Sequence, residues 1–303
     1  MHSDYILKTT DLSKKFGEKV AVQSINMSIN KGDIYGLIGK NGAGKTTLMR
    51  LVLSLTQPTQ GDIELFESKN FIASRGKVGS LIETPGFYKG CTAKENILRF
   101  ALLYGASEED ALNALKLVGL EVDNPRKVGK YSLGMKQRLG IAIALLGNPE
   151  FVILDEPVNG LDPEGMREVR ELIRKLNAEH GITFLISSHL LDELSRVATR
   201  FGIISNGKLI DEFTADSINE KEDYKITLKV SNAAEAVKRL SESYQNINVT
   251  FDADSVVIVS KEDVSAQINR FLVKDCNIDV FSIMPEQRTI EQYYLEKVGA
   301  ANE

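Results

Sequence analysis

Nine residues, Gly39-Lys40-Asn41-Gly42-Ala43-Gly44-Lys45-Thr46-Thr47, constrain this chain more than any other stretch. They follow a short apolar run, Ile34-Tyr35-Gly36-Leu37-Ile38, and lead into Leu48-Met49-Arg50-Leu51-Val52-Leu53, which is apolar at helical spacing. A strand, a glycine-rich loop and a helix in that order make a phosphate cradle. The glycines let backbone N–H groups turn inward without Cβ clashes, and the helix N-terminus adds partial positive charge. Lys45 is placed to reach the β- and γ-phosphates, and Thr46 to put its hydroxyl on Mg²⁺. A glycine-rich turn beside an exposed lysine is the plainer alternative, and it leaves the strand–helix context unexplained. The implied ligand is a nucleotide.

At 303 residues the chain has room for one large domain and a smaller one. With 43% hydrophobic and 26% charged residues it has the composition of an ordinary globular protein, and no apolar run approaches the roughly 20 residues that span a bilayer. The start, Met1-His2-Ser3-Asp4-Tyr5, lacks the basic-then-apolar layout of a signal peptide. The two cysteines, Cys91 and Cys276, stand in no metal-ligand spacing, and buried free thiols in a reducing cytoplasm are expected. Charge is uneven. Residues 1–215 hold 27 Lys and Arg against 26 Asp and Glu, whereas residues 216–303 hold 10 against 16. An acidic appendage is poorly suited to a polyphosphate backbone, so nucleic acid is not an expected partner.

Residues 5–38 read as strands and turns, and 92–148 as almost entirely helical. Thr92-Ala93-Lys94-Glu95 is a capping box, and Ser107-Glu108-Glu109-Asp110 opens a second helix with acidic residues where the dipole favours them. Phe151-Val152-Ile153-Leu154 is a continuous apolar run ending in Asp155-Glu156-Pro157, as expected of a buried parallel strand. Asp162-Pro163 starts a long helix with aspartate at N-cap and proline at N1. Ile182–Ile186 is a further buried strand, ending at Ser187-Ser188-His189. Residues 214–223 are polar and read as a linker. Beyond them the order β-α-β-β-α-β, followed by a tail helix, predicts a ferredoxin-like domain over 224–303. No residue there demands chemistry, and a folded interaction module is expected.

Four segments behind the phosphate loop carry a family resemblance. Tyr131-Ser132-Leu133-Gly134-Met135-Lys136-Gln137-Arg138 resembles the signature motif of ATP-binding-cassette (ABC) ATPases, LSGGQ followed by x-Q-R. Phe151–Glu156 resembles their Walker B strand, Asn159-Gly160-Leu161-Asp162 their D-loop, and His189 their switch histidine. Order and spacing are those of one nucleotide-binding domain over residues 1–213, with a helical subdomain at about 84–148. The implied fold is α/β: a P-loop ABC ATPase domain, mixed sheet core with helical subdomain, plus the small α+β domain. Leu81-Ile82-Glu83-Thr84-Pro85-Gly86-Phe87-Tyr88, the Ser-Leu-Gly-Met-Lys-Gln-Arg form of the signature and the extra C-terminal domain are similar to the ATPase subunits of bacitracin- and lantibiotic-resistance exporters.

The resemblance implies the site. Gly39, Asn41, Gly42, Ala43, Gly44, Lys45, Thr46 and Thr47 hold the phosphates of ATP. Thr46 and Asp155 hold Mg²⁺, a hard cation that prefers carboxylate oxygen. Glu156 orients or deprotonates the attacking water, and His189 contacts the γ-phosphate; positioning and charge stabilisation supply most of the catalysis. Phe16 stacks on adenine, unless it is an ordinary packed aromatic. Ser132 and Gly134 meet the nucleotide of a second copy, so active sites are shared in a homodimer or a pair of ABC subunits. Asp162 is a D-loop residue, a helix N-cap, or both. Glu83 departs from the family's usual glutamine. It is expected to touch Mg²⁺ and to couple nucleotide state to a membrane partner. Leu133 and Met135 also depart, replacing glycine and glutamine.

The function implied is ATP hydrolysis that powers a separate integral membrane permease, from a peripheral position on the inner face of the cell membrane. Export of, or resistance to, a peptide antibiotic is the implied task. The alternatives are a soluble ABC ATPase acting on nucleic acid or ribosomes, and a nucleotide-dependent sensor subunit.

Overall fold

The computed structural model describes residues 5–83, 86–214, 217, 224–244, 247–252, 255–286 and 290–300. Thr84, Pro85, most of the expected linker 214–223, and the turn residues Ala253 and Asp254 lie outside the described residues. The chain divides into two compact units, Met1–Phe213 with Lys297–Glu303, and Thr214–Glu296.

The first unit opens with two long strands, β1 (Tyr5–Phe16) and β2 (Lys19–Asn30), then β3 (Ile34–Ile38), α1 (Lys45–Val52) and β4 (Gln60–Leu65). β1, β2 and β4 form an antiparallel sheet in the order β2-β1-β4. After α2 (Phe71–Ser74) and β5 (Val78–Leu81) come three helices, α3 (Ala93–Tyr104), α4 (Glu108–Leu117) and α5 (Leu133–Ala144). Then follow β6 (Phe151–Asp155), α6 (Pro163–His180), β7 (Thr183–Ser188), α7 (Leu191–Ser195), β8 (Arg200–Ser205) and β9 (Lys208–Thr214).

The larger sheet has the order β5-β6-β7-β3-β8-β9, and its first five strands pair in parallel. β3 and β7 are buried along their whole length, which explains their unbroken apolar runs. One core joins the two sheets through α1. Leu7, Leu12, Ile25 and Ile29 of the antiparallel sheet pack with Leu48 and Met49 of the helix and with Leu37, Phe151 and Ile153 of the parallel one. Removing these side chains from water, at about 25 cal/mol per Å², is the main force fixing α1 beneath the loop that precedes it.

The expected capping box is present at α3, and the acidic start expected of α4 turns out to hold a second one. Thr92 and Glu95 satisfy each other's backbone N–H groups at the start of α3, and Ser107 and Asp110 do so for α4. Residues 118–132, between the second and third helices, are largely irregular within the stretch 92–148 expected to be almost entirely helical. Gly119, at φ +70°, ends α4, and only a single 3-10 turn at Val128–Lys130 interrupts the irregular path to α5. The physical cause is local: Gly119, Pro125 and Gly129 all disfavour a helix interior. β8 and β9 meet at Asn206-Gly207, both at positive φ, the combination a tight hairpin requires.

The second unit runs β10 (Tyr224–Val230), α8 (Ala233–Ser243), β11 (Asn248–Asp252), β12 (Ser255–Ser260), α9 (Ser265–Arg270, continued by a π-helical turn Phe271–Asp275) and β13 (Val280–Glu286). Its sheet is antiparallel in the order β11-β12-β10-β13. Ile226, Leu228, Val256 and Ile258 point to one face, where Ala236, Leu240, Ile268 and Leu272 of the two helices cover them. A last helix, α10, spans Ile290–Ala300.

Candidate functional site

Parallel register brings the carboxyl ends of three strands to one level. Ile38 of β3 lies opposite Ser188 of β7, and Asp155 of β6 opposite Ser187. Crevices at the carboxyl ends of such strands are where α/β sheets bind ligands. The loop Gly39–Gly44 leaves β3 here and turns back into α1. Two of its glycines have no substitute. A Cβ on Gly39 falls 2.5 Å from the Ile204 carbonyl oxygen, and one on Gly44, whose φ is +112°, falls 2.6 Å from the Ala21 carbonyl oxygen.

Lys45, the first residue of α1, is 5% exposed. Its ammonium donates to the Gly39 carbonyl at 2.6 Å and the Lys40 carbonyl at 3.3 Å, and lies 3.1 Å from Oε1 of Glu156. Glu156 Oε2 is 2.7 Å from Nδ1 of His189. Thr46 Oγ1 donates to Asp155 Oδ2 at 2.7 Å. A cleft of about 420 Å³ opens above these groups, lined by Asn41, Gly42, Gly44, Lys45, Thr46, Thr47 and Glu156. Ala43 is buried beneath it, its carbonyl accepting the N–H of Gly207 at 2.9 Å.

Glu156 sits at φ +49° directly before Pro157. A non-glycine residue in the left-handed region costs about 1–2 kcal/mol, and the residue before proline is normally pushed toward extended conformations. The strain is held by its N–H, which donates to Ser187 Oγ at 2.9 Å, and by its carbonyl, which accepts from Asn159 at 3.1 Å. Strain of this kind gathers where a side chain must be aimed.

The structure thus brings together the loop residues, Lys45, Thr46, Asp155, Glu156 and His189. It sets three others apart. Ser132 caps α5 and accepts the Met135 N–H at 3.2 Å, and Asp162 caps α6 and accepts the Gly165 N–H at 3.1 Å. These two and Gly134 border a separate recess of about 420 Å³ with Arg138 and Glu168. Asp162 is therefore the N-cap of α6 and borders the same recess as Ser132 and Gly134.

Phe16 and Glu83 neither line the cleft nor join the hydrogen-bonded group of Lys45, Thr46, Asp155, Glu156 and His189. Phe16 ends β1 as a residue 52% exposed, and the Lys14 ammonium lies 4.9 Å from its ring centroid. The hairpin that follows contributes Lys19, Val20 and Ala21 instead. Glu83, at φ +62°, directs Oε1 to Arg50 Nη2 at 2.5 Å on the exposed side of α1. Residue-by-residue reading also missed Asn206 and Gly207, which line the cleft, and Ser187, which touches both carboxylate residues. The β6–β7 register exposes the place of Ser187, and the Gly207 N–H bond to the Ala43 carbonyl that of the Asn206-Gly207 hairpin.

Among the described residues no group of three or more His, Cys, Asp and Glu is arranged to hold a metal. Mg²⁺ needs no such cage, because one or two protein oxygens and the phosphates of its substrate complete its octahedron. The Thr46 hydroxyl and the Asp155 carboxylate, adjacent and both hard oxygen donors, fit that requirement.

Comparison with known proteins agrees with this geometry. The family model described as ABC transporter matches residues 22–159. The bacitracin transport ATP-binding protein BcrA of Bacillus licheniformis is 40% identical over 300 residues, covering 97% of each chain. The lantibiotic transport ATP-binding protein SrtF of Streptococcus pyogenes is 43% identical over 219 residues, 72% of this chain and 95% of its own. A dimeric ATP-binding cassette solved in a post-hydrolysis state with ADP and Pi superimposes with a TM-score of 0.61 at 26% identity, covering 69% of this chain and 98% of that one. The chain belongs to the ABC transporter family, as an ATP-binding and ATP-hydrolysing subunit.

Proposed function

We propose that this subunit drives a separate membrane permease that exports a peptide antibiotic of the bacitracin or lantibiotic kind. The observation that carries the engine is that Lys45, Thr46 and Glu156 line one cleft, with Asp155 bonded to Thr46 and His189 to Glu156 directly behind them. Likeness to the bacitracin and lantibiotic transport subunits over most or all of their length supports the cargo class.

In this reading the loop N–H groups and Lys45 bind the phosphates, and the Lys19–Ala21 hairpin, with Phe16 beside it, flanks the base. Thr46 and Asp155 would hold Mg²⁺, which supplies charge neutralisation across the phosphates when bound. Glu156 orients the attacking water and takes its proton. His189 holds the Glu156 carboxylate and faces the terminal phosphate. Ser132, Gly134 and Asp162 act on the nucleotide of a second copy. Their separation from the phosphate cleft supports a shared site, because one chain alone leaves both half-sites open.

A surface groove of about 860 Å³, lined by Leu53, Leu55, Ile72, Arg75, Leu103 and Tyr104, supports a docked partner. Leu55, Ile72 and Leu103 are each more than 65% exposed, and a clustered apolar surface of this kind marks an interaction site. No helix among the described residues is long and apolar enough to cross a membrane. Peripheral attachment to the inner face, through the permease, follows from that pairing. We read the second unit as a ferredoxin-like accessory domain. Its β-α-β-β-α-β order and sheet order support this, and no nucleic acid partner is proposed for it.

The test is isolation of the full-length chain from membranes with Glu156→Gln, which retains ATP binding. A multi-span membrane protein carrying two copies of this chain supports the proposal. A chain recovered with ribosomes or RNA and no membrane protein refutes the transport assignment.

A further inference from the structure

We infer that Ser187 is a positioning residue that sets Asp155 and Glu156 as one unit. It is fully buried near the end of β7, opposite Asp155 in the parallel register. Its hydroxyl donates to Asp155 Oδ1 at 2.5 Å and accepts the Glu156 N–H at 2.9 Å. One donor and one acceptor function of the same oxygen are thereby committed to two adjacent residues with different tasks.

The first bond selects the carboxylate oxygen that faces the loop. With Oδ1 held by Ser187, Oδ2 is the oxygen that meets the Thr46 hydroxyl at 2.7 Å. The second bond holds the strained backbone of Glu156 at φ +49°. That backbone aims the carboxylate between Lys45 and His189. Losing the hydroxyl frees the Asp155 side chain to rotate and removes a partner that restrains the Glu156 turn.

The residue type argues the same way. Phe184, Leu185 and Ile186 are fully buried in the same strand, where β-branched and apolar residues are the usual occupants. A buried hydroxyl is costly there unless both its partners are present. Here both are, and both belong to the catalytic pair.

This inference rests on the roles proposed for Asp155 and Glu156, so its test includes Glu156→Gln. Ser187→Ala, Ser187→Thr and Ser187→Cys are made in the full-length chain. Steady-state hydrolysis gives kcat and KM for ATP. Mn²⁺ affinity in the presence of a non-hydrolysable ATP analogue is read separately by electron paramagnetic resonance. Ser187→Ala is expected to lower kcat about tenfold or more and to weaken Mn²⁺ binding by a similar factor, the usual size for a group that orients a metal ligand. KM for ATP changes by less than about threefold, since the phosphate loop itself is untouched. Ser187→Thr, which restores the hydroxyl, stays within about threefold of wild type in both readouts.

Wild-type kcat and Mn²⁺ affinity in Ser187→Ala overturn the inference, as does a Ser187→Thr that loses as much as Ser187→Ala. A fall in kcat with unchanged Mn²⁺ affinity overturns the claim for Asp155. If Ser187→Ala melts too low to assay, Ser187→Cys replaces it; a thiol is a weak donor, so the same losses are expected and wild-type values overturn the inference. Full hydrolysis by Glu156→Gln overturns the assignment of Glu156 and this inference with it. An inactive Glu156→Gln beside an unaffected Ser187→Ala overturns the inference alone.

Discussion

His189 Nδ1 lies 2.7 Å from Oε2 of Glu156, while the other carboxylate oxygen lies 3.1 Å from the Lys45 ammonium. Glu156 is thus gripped from both sides, by a residue after β7 and by the first residue of α1. His189→Ala removes one grip and leaves the phosphate loop intact. It is expected to cut kcat by about 10²-fold, the lower end for a group that positions or transfers a proton. ATP binding, followed by a fluorescent nucleotide analogue, should stay within a few-fold of wild type. An equal loss of binding and turnover would show that His189 acts on the loop rather than on Glu156.

Thr46 and Asp155 present two hard oxygens 2.7 Å apart. If they hold Mg²⁺, Thr46→Ala and Asp155→Asn should each raise the Mg²⁺ concentration for half-maximal hydrolysis by about tenfold. The double substitution should cost less than the two single effects added, because the residues form one interacting pair. Mg²⁺ titration of the ATPase rate measures both quantities. An unchanged Mg²⁺ requirement with lowered kcat would remove these residues from the metal site.

Much of this site was legible before any coordinates, for a physical reason. A buried parallel strand must be apolar along its length, so the polar residues that close Phe151–Leu154 and Ile182–Ile186 stand out against it. Asp155 and Glu156 are found that way, and the family resemblance adds His189 at the end of the other strand. Ser187 was part of the same strand end, yet its use depends on which residue lies opposite it in β6, and that pairing is non-local. Glu83 illustrates the same limit. Its partner, Arg50, is 33 residues away on another element, and no local pattern announces an ion pair. The second unit was easier, because alternation along Ile226, Leu228 and Val230 reports one covered face directly. The helices on either side of 118–132 were legible, but the length of the irregular path between them was not, although Gly119, Pro125 and Gly129 mark it.

Glu83 and Arg50 form an ion pair with side chains 65% and 45% exposed. An exposed pair contributes at most about 1 kcal/mol. Glu83→Gln should therefore leave thermal stability and the basal ATPase rate of the isolated chain nearly unchanged. With the permease present, a several-fold loss of stimulated hydrolysis is expected if Glu83 couples nucleotide state to that partner. Arg50→Ala separates the two roles. If it reproduces the loss, the pair itself is the coupling element; if it does not, Glu83 acts alone. Unchanged stimulation in both variants would remove this corner of α1 from the coupling path.

The turn before β6 carries a charge cluster whose effect on stability has a definite sign. Glu150 lies 2.9 Å from the Lys77 ammonium and 3.4 Å from that of Lys31. The hydrogen bond from Lys77 is the largest cause holding its carboxyl below the ordinary range, opposed by partial burial and helped by Lys31. A carboxyl whose folded pKa lies below its unfolded one releases its proton more readily when folded. Its stabilising effect is present above the unfolded value of about 4.3 and disappears as pH falls through the lower folded value. All three side chains are more than a third exposed, so screening holds the effect to a fraction of about 1 kcal/mol. Chemical denaturation of wild type and Glu150→Gln should differ by that small amount at pH 7, the wild type being more stable. The gap should close below about pH 4 and shrink in 1 M salt, where the Debye length is about 3 Å. A gap that persists in acid would mean that the carboxylate charge is not its source.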